Sequence, residues 1–87
     1  MKEFNLRISS PEGDLFLGDI VKLNLRASGG DIAIMAGHIP FISYVKPGLC
    51  SLELADGTER KFELDGGVLT VGREKTILLT GNFAWKE

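Results

Sequence analysis

Apolar and polar residues alternate along several stretches of the chain with the period of a β-strand. The segments "FNLRIS" at positions 4–9 and "VKLNLR" at positions 21–26 each keep this pattern for six residues. Successive side chains of a strand point to opposite faces, so such alternation is typical of a strand with one buried face. Both segments are therefore predicted to be half-buried strands.

A β-hairpin is predicted in the second half of the chain. The alternating segments "CSLEL" at positions 50–54 and "RKFEL" at positions 60–64 lie on either side of "ADGT". An Asp-Gly pair between such segments is typical of a two-residue type I′ loop, in which both loop residues have positive φ. We therefore expect Asp56 and Gly57 to form the turn.

Shorter apolar segments fill much of the remaining chain: "LFLG", "IAIM", "PFISYV", "VLTV" and "TILLT". Breaks rich in turn-forming residues separate them, and no stretch has the pattern of an amphipathic helix. Short strands at this spacing predict an all-β fold, an antiparallel flattened β-sandwich or barrel. The alternation also predicts a largely buried set: Phe4, Leu6, Ile8, Val21, Leu23, Leu52, Leu54, Phe62, Leu64, Leu69, Ile77 and Leu79.

The composition narrows the class of protein and of partner. A chain of 87 residues is expected to form a single domain, 1–87, with one modest core. Hydrophobic residues make up 44% and charged residues 25%, which disfavours disorder. The net charge is −2 and no stretch is strongly basic, which argues against nucleic acid or an anionic membrane surface as the main partner.

Cysteine content and hydropathy bear on the compartment. Cys50 is the only cysteine, so no internal disulfide can form, and its phase with Leu52 and Leu54 predicts a core position. No run approaches the roughly 20 apolar residues that span a bilayer, and "MKEFNLRISS" alternates where a signal peptide has an apolar segment. We therefore expect no direct membrane insertion and take the cytoplasm as the default.

His38 is the only histidine and the first candidate for chemistry. A nucleophilic triad would need Ser43 or Cys50 as nucleophile and Asp31 as orienting acid, and nothing in their spacing brings them together. A transition-metal site usually needs three or four ligands, and one His with one Cys does not supply them. The sequence therefore favours neither a catalytic nor a metal site, and we expect no cofactor.

Two other features have ordinary structural interpretations. "GVLTVGREKT" superficially resembles a phosphate-binding loop, but Arg73 and Glu74 occupy the Lys and Ser/Thr positions, so a strand and turn are favoured. Trp85 is either an interface anchor or the cover of a sheet edge, and the sequence does not separate these. A small β-domain without a nucleophile, metal cluster or phosphate loop is expected to function by contact through exposed loops.

Three ordered motifs resemble one known family, the N-terminal domain of the epsilon subunit of F-type ATP synthases, whose mitochondrial counterpart is called delta. The central motif is "GDIAIMAGHIP" from Gly30 to Pro40, followed by "KPG" at 46–48. "LDGGVLTV" at 64–71 and "LRISSPEGDLFLGDI" at 6–20 are similar to two further family motifs. The match spans nearly the whole chain.

The resemblance implies a flattened β-sandwich of about ten short strands in the rotating central stalk of a proton- or sodium-translocating synthase. One sheet face would pack on the gamma subunit, whose contact residues the resemblance does not assign. A single loop would rest on the polar loops of the membrane c-ring, with Asp31 and His38 in contact and Gly30 and Gly37 allowing close backbone approach. The domain would be non-catalytic and peripheral, on the cytoplasmic face of the bacterial inner membrane.

Family members usually continue into a two-helix C-terminal hairpin that regulates ATP hydrolysis and in some members binds ATP. This chain is expected to lack that hairpin, because it ends at Glu87. Two other functions stay open from the residues alone. One is a free-standing β-sandwich that binds a peptide or small ligand, and the other is a small hydrolase that uses His38.

Overall fold

Ten strands make up the regular structure of residues 2–86, the part of the chain that the computed structural model describes, and this part contains no helix. The prediction of an all-β fold is therefore confirmed. The strands are β1 (Phe4–Ser10), β2 (Gly13–Ile20), β3 (Lys22–Ala27), β4 (Gly30–Ile34), β5 (Phe41–Val45), β6 (Gly48–Glu53), β7 (Glu59–Leu64), β8 (Gly67–Val71), β9 (Lys75–Thr80) and β10 (Phe83–Trp85).

Hydrogen bonding connects the strands in the order β10-β7-β6-β3-β5-β8-β9-β1-β2, and β4 pairs with β3. The pairing of β3 with β5 consists of Ala27 opposite Val45, which is a much shorter contact than those between the other strands. The sheet divides into two layers at this short connection. One layer contains β4, β3, β6, β7 and β10, and the other contains β5, β8, β9, β1 and β2. Phe16 on β2 and Trp85 on β10 meet edge to face at a centroid distance of 6.2 Å, which closes the opposite side. Pairing is antiparallel as predicted except between β1 and β9, which run parallel.

Most of the predicted core is confirmed. Leu6, Ile8, Val21, Leu23, Leu52, Phe62, Leu64 and Leu69 are buried, as is Cys50, while Phe4 and Leu54 are half-buried and pack against this core. Among residues 2–86, the largest fully buried side chains are Phe62, Leu6, Ile8, Ile20, Leu23, Ile34, Leu52, Leu69 and Leu78.

The predicted phase of β9 is wrong. Ile77 and Leu79 were expected inside, but both face outward: Ile77 is half-buried and Leu79 is 51% exposed, whereas Leu78 between them is buried. In the parallel pair with β1, Leu78 stands beside Ile8, and in the antiparallel pair with β8 it stands beside Leu69. Side chains at paired positions share one face of a sheet, so the inward-facing neighbours place Leu78 in the core and turn Leu79 outward.

Trp85 covers the edge of the core where the two layers meet. Its ring makes edge-to-face contacts with Phe62 at 5.9 Å and Phe83 at 4.9 Å between centroids. The Arg60 guanidinium lies 3.7 Å from the centroid of the indole ring, in cation–π geometry. The structure therefore favours the second interpretation of Trp85, as a cover for the sheet edge.

The hairpin between β6 and β7 is confirmed, but its loop is not the two-residue type I′ turn that the sequence predicts. Gly57 N–H donates to the Leu54 carbonyl at 3.0 Å, and Leu54 N–H donates to the Thr58 carbonyl at 2.8 Å. These bonds enclose a three-residue loop. A type I′ turn requires positive φ at both loop residues. Gly57 has φ +89°, but Asp56 does not have a positive φ, since among residues 2–86 only glycines do. Asp56 instead accepts the Thr58 N–H at 2.9 Å, which lowers the pKa of its carboxyl.

Replacing Gly57 with valine is expected to lower the free energy of unfolding by about 1 kcal/mol or more, because a β-branched residue is strained at φ +89°. The space around the Gly57 Cα is open, with nothing within 4 Å of an added Cβ, so the penalty is purely conformational. Gly57→Asn is the matched control, since asparagine tolerates the left-handed region. Urea denaturation of both variants checks this, and equal midpoints for valine and asparagine would contradict it.

Candidate interaction surface

The segment between β4 and β5, residues 35–40, forms an exposed loop around His38. His38 N–H donates to the Met35 carbonyl at 3.2 Å, and Gly37 at the third position of this turn has φ +86°, as a type II turn requires. The His38 ring lies 5.0 Å from the Phe41 ring between centroids, and Nδ1 lies 2.9 Å from the Ile39 carbonyl oxygen. Because a carbonyl oxygen can only accept, a hydrogen bond at this position requires the tautomer with the proton on Nδ1.

Asp31 lies on strand β4, next to its first residue Gly30. It stands opposite Arg26 on β3, and Arg26 Nε donates to Asp31 Oδ1 at 3.1 Å. The Asp31 side chain is 79% exposed and that of Arg26 is 59% exposed, so this ion pair is well solvated and adds little to stability. Gly30 has φ +126°, which glycine adopts without strain.

The structure corrects the expectation that one loop holds all four residues. Gly30 and Asp31 lie at the start of β4, and Gly37 and His38 lie in the loop after its end. β4 pairs with β3 alone among the described strands, so its other edge is open. A single partner would therefore have to lie along this edge to reach both ends of β4. That these four residues contact a c-ring stays a prediction.

The residues considered as catalytic partners of His38 form hydrogen bonds with groups other than His38. Ser43 Oγ donates to the Tyr44 carbonyl at 3.0 Å, and Asp31 bonds to Arg26. Cys50 is buried, and burial raises the pKa of its thiol to about 11, so the thiol stays protonated near neutral pH. Within residues 2–86 no group of three or more His, Cys, Asp or Glu side chains is placed to hold a metal ion.

Over the same described residues, the structure contains no helix of the length and hydropathy that would cross a membrane.

The layer formed by β5, β8, β9, β1 and β2 has an apolar outer face, which we call the apolar face. One cross-strand row runs through Tyr44, Val68 and Leu79 to Ser9. The next row runs through Ile42, Thr70 and Ile77 and reaches β1 and β2 at Arg7 and Leu17. The most exposed members are Tyr44 at 74%, Ile42 at 73%, Leu17 at 63% and Leu79 at 51%.

The outer face of the opposite layer is polar by contrast. Its cross-strand rows join Asn24 to Ser51 and Lys61, and Lys22 to Glu53 and Glu59. Leu49 on β6 is a large apolar side chain that is exposed on this face, at 59%. Contiguous apolar surface on one sheet and charged surface on the other mark the apolar face as the side that fits a stable protein partner.

An ion pair interrupts the apolar face near β2. Arg7 donates from Nε and Nη2 to the two carboxylate oxygens of Asp14, both at 2.9 Å, and Ser9 Oγ donates to Asp14 Oδ1 at 2.7 Å. These hydrogen bonds lower the pKa of the Asp14 carboxyl and raise that of Arg7. Arg7 and Asp14 thus form a bidentate pair to which Ser9 adds a third hydrogen bond, and we call these three side chains the Arg7–Asp14 clasp.

Comparison with known proteins places these features in a family. The family model described as "ATP synthase, Delta/Epsilon chain, beta-sandwich domain" matches residues 3–86. The ATP synthase epsilon chain of Clostridium novyi (strain NT) is 36% identical over 86 residues, which cover 99% of this chain and 66% of that one. The epsilon chain of Dichelobacter nodosus (strain VCS1703A) is 36% identical over 81 residues, covering 93% and 57%. The chain thus spans about three-fifths of the length of these curated relatives.

Solved structures show the same fold at low sequence identity. A chain of the Euglena gracilis mitochondrial ATP synthase (OSCP/F1/c-ring, rotational state 1) aligns with a TM-score of 0.90 and 16% identity, over 95% of this chain and 53% of that one. A chain of the Tetrahymena thermophila mitochondrial ATP synthase central stalk and c-ring aligns with a TM-score of 0.77 and 11% identity, over 95% and 66%. With the family match over residues 3–86, the chain belongs to the beta-sandwich domain family of ATP synthase delta and epsilon chains.

Proposed function

We propose that this chain is a non-catalytic domain of the central stalk of an F-type ATP synthase, where it links the gamma subunit to the c-ring and transmits rotation. The observation that carries the proposal is the apolar face. Family membership supports the assignment to the synthase, since the curated relatives are its epsilon chains. The domain acts by contact, because its function in this proposal needs two surfaces of different chemistry rather than a reacting group.

The apolar face is the surface for gamma. Four large apolar side chains that are more than half exposed lie on it, and they are Leu17, Ile42, Tyr44 and Leu79. Stable interfaces resemble the core of a domain cut in half, so a permanent partner is the one that fits such a surface. The gamma subunit turns with this domain and is that partner, while the polar loops of a c-ring do not match an apolar face.

The open edge of β4 is the surface for the c-ring. Its two ends present Asp31 beside Gly30 and His38 beside Gly37, all of them exposed. Charged and hydrogen-bonding groups on a glycine-flanked backbone suit the polar loops of a c-ring. In this arrangement the domain is peripheral, at the cytoplasmic face of the bacterial plasma membrane, and touches no lipid.

Binding measurements with purified partners test the proposal. The wild-type chain is mixed separately with the gamma subunit of the same organism and with its detergent-solubilised c-ring carrying gamma, and complexes are isolated by gel filtration. We expect a stoichiometric complex with gamma, and retention of the chain on the c-ring assembly. Failure of the wild-type chain to bind gamma would contradict the proposal and favour a free-standing binding module.

Substitutions at the two ends of β4 test the c-ring contact. Asp31→Ala and His38→Ala are expected to change the free energy of unfolding by less than about 0.5 kcal/mol, because both side chains are exposed. Each should weaken retention of the gamma-bound chain on the c-ring without weakening binding to gamma. Glu59→Ala serves as the control, because Glu59 is exposed on β7, which β6 and β3 separate from β4. Undiminished retention of the Asp31→Ala, His38→Ala double variant would remove this edge from the contact.

A further inference from the structure

Arg7 is a charged residue in the middle of apolar neighbours. In the register of the outer layer it stands between Ile77 on β9 and Leu17 on β2, both of which face outward. Thr70 on β8 and Ile42 on β5 continue the same row over the next two strands. A partner that covers this row therefore covers the Arg7 guanidinium as well.

The Arg7–Asp14 clasp holds that guanidinium in one orientation. Nε and Nη2 each use one N–H on Asp14, at 2.9 Å, and Asp14 is held in turn by Ser9 Oγ at 2.7 Å. A guanidinium has five N–H donors, so three remain after these two bonds. The side chains of Arg7 and Asp14 are 50% and 40% exposed, so the remaining donors are accessible to a docking partner.

Covering this pair has a cost unless the partner supplies an acceptor. Charged groups lose hydration when an interface closes over them, and donors left unsatisfied weaken binding substantially. The Asp14 carboxylate already balances the Arg7 charge, so a second carboxylate opposite Arg7 would also face Asp14. A neutral carbonyl oxygen satisfies the free donors without that repulsion.

We propose that Arg7, held by Asp14, is the specificity-determining residue of the apolar face, and that it donates its free N–H groups to a carbonyl oxygen on the gamma subunit. The contact fixes the register in which gamma docks, because apolar packing alone is non-directional. This inference rests on the proposed function, since it requires that gamma covers the apolar face. Asp14 and Ser9 act as positioning residues.

Equilibrium titration of gamma into the chain tests the proposal. Arg7→Met keeps a long apolar stem but leaves Asp14 unpaired, and we expect it to weaken gamma binding at least about 30-fold. Arg7→Lys keeps the charge without the bidentate fork and should recover part of this loss. Arg26→Met is the matched control, because it removes a second Arg–Asp ion pair, this one on the polar sheet, and should change the affinity less than about threefold.

Further readouts separate this inference from a purely structural role and from the proposed function. Thermal denaturation should show all three variants folded with similar midpoints, and the salt dependence of gamma binding should be alike for wild type and an Arg7→Met, Asp14→Asn double variant, in which the net charge of the pair is unchanged. Unchanged affinity of Arg7→Met would overturn the inference, and so would a much steeper salt dependence in wild type, which would indicate a charged acceptor. If Leu79→Asp abolishes binding while Arg7→Met does not, the apolar face stands as the gamma surface and only the role of Arg7 fails. If neither variant weakens binding, both proposals fail.

Discussion

Replacing Gly67 with alanine is expected to lower the free energy of unfolding by about 3 kcal/mol or more, one of the two largest effects we predict. Gly67 begins β8 and pairs with Val45 on one side and Thr80 on the other. An added Cβ would overlap the Leu79 carbonyl oxygen and lie 3.2 Å from its carbon. Both atoms are backbone inside a paired strand, so the clash can be relieved only by moving β8 away from β9.

Gly29→Ala is the matched control for this substitution. Gly29 lies in the turn between β3 and β4, has no positive φ, and has nothing within 4 Å of an added Cβ. We expect its free energy of unfolding to stay within about 0.5 kcal/mol of wild type. Chemical denaturation of the two variants in parallel measures the difference, and similar midpoints would show that the β8–β9 contact adapts at little cost.

The adjacent glycine has a different reason to be glycine. Gly66 has φ +116°, and an added Cβ would lie 3.3 Å from the Val45 carbonyl oxygen. The sequence marks the pair as a break before "VLTV". It does not reveal that one glycine is required by backbone conformation and the next by close approach of a neighbouring strand, because that neighbour is distant in the chain.

Alternation predicted the strands whose outer face is polar. β1, β3, β6 and β7 follow the pattern, and the residues of these strands that the sequence assigns to the core are buried or half-buried, while Leu25 and Ala27 on β3 join them. β9 fails this test because "TILLT" is apolar at three consecutive positions, so its phase is ambiguous from sequence. Leu79 was placed inside for that reason, and the apolar face was missed for the same reason. An outward apolar residue looks like a core residue until its neighbours are known.

The candidate contact residues show a similar limit. The glycines and the lone histidine correctly indicated an exposed turn, and Gly37 has the positive φ that the turn needs. Their spacing did not reveal that Asp31 lies within β4 and pairs with Arg26, while His38 follows the end of that strand. Asp31 is followed by three further residues of extended β4 before the turn that ends at His38, so the strand holds the two side chains apart, whereas a compact loop of the same length would bring them together.

Replacing Leu79 with aspartate is expected to weaken binding of the gamma subunit at least about 100-fold. Leu79 lies in the apolar face, between Val68 on β8 and Ser9 on β1, and is 51% exposed in the free chain. An interface over this row would bury its remaining apolar surface, and a carboxylate there would lose hydration without a partner. Together these effects amount to about 3 kcal/mol, which corresponds to a change of about 100-fold in affinity.

Leu49→Asp distinguishes this effect from the general effect of a new charge. Leu49 is 59% exposed on the polar sheet, so the substitution is chemically identical at a position of similar exposure. The free energy of unfolding of both variants should stay within about 1 kcal/mol of the wild-type value, because an exposed leucine contributes little to the core. Titration of gamma into each variant decides between the two sheets. If Leu49→Asp weakened binding and Leu79→Asp did not, gamma would dock on the polar sheet, and the apolar face would belong to another partner.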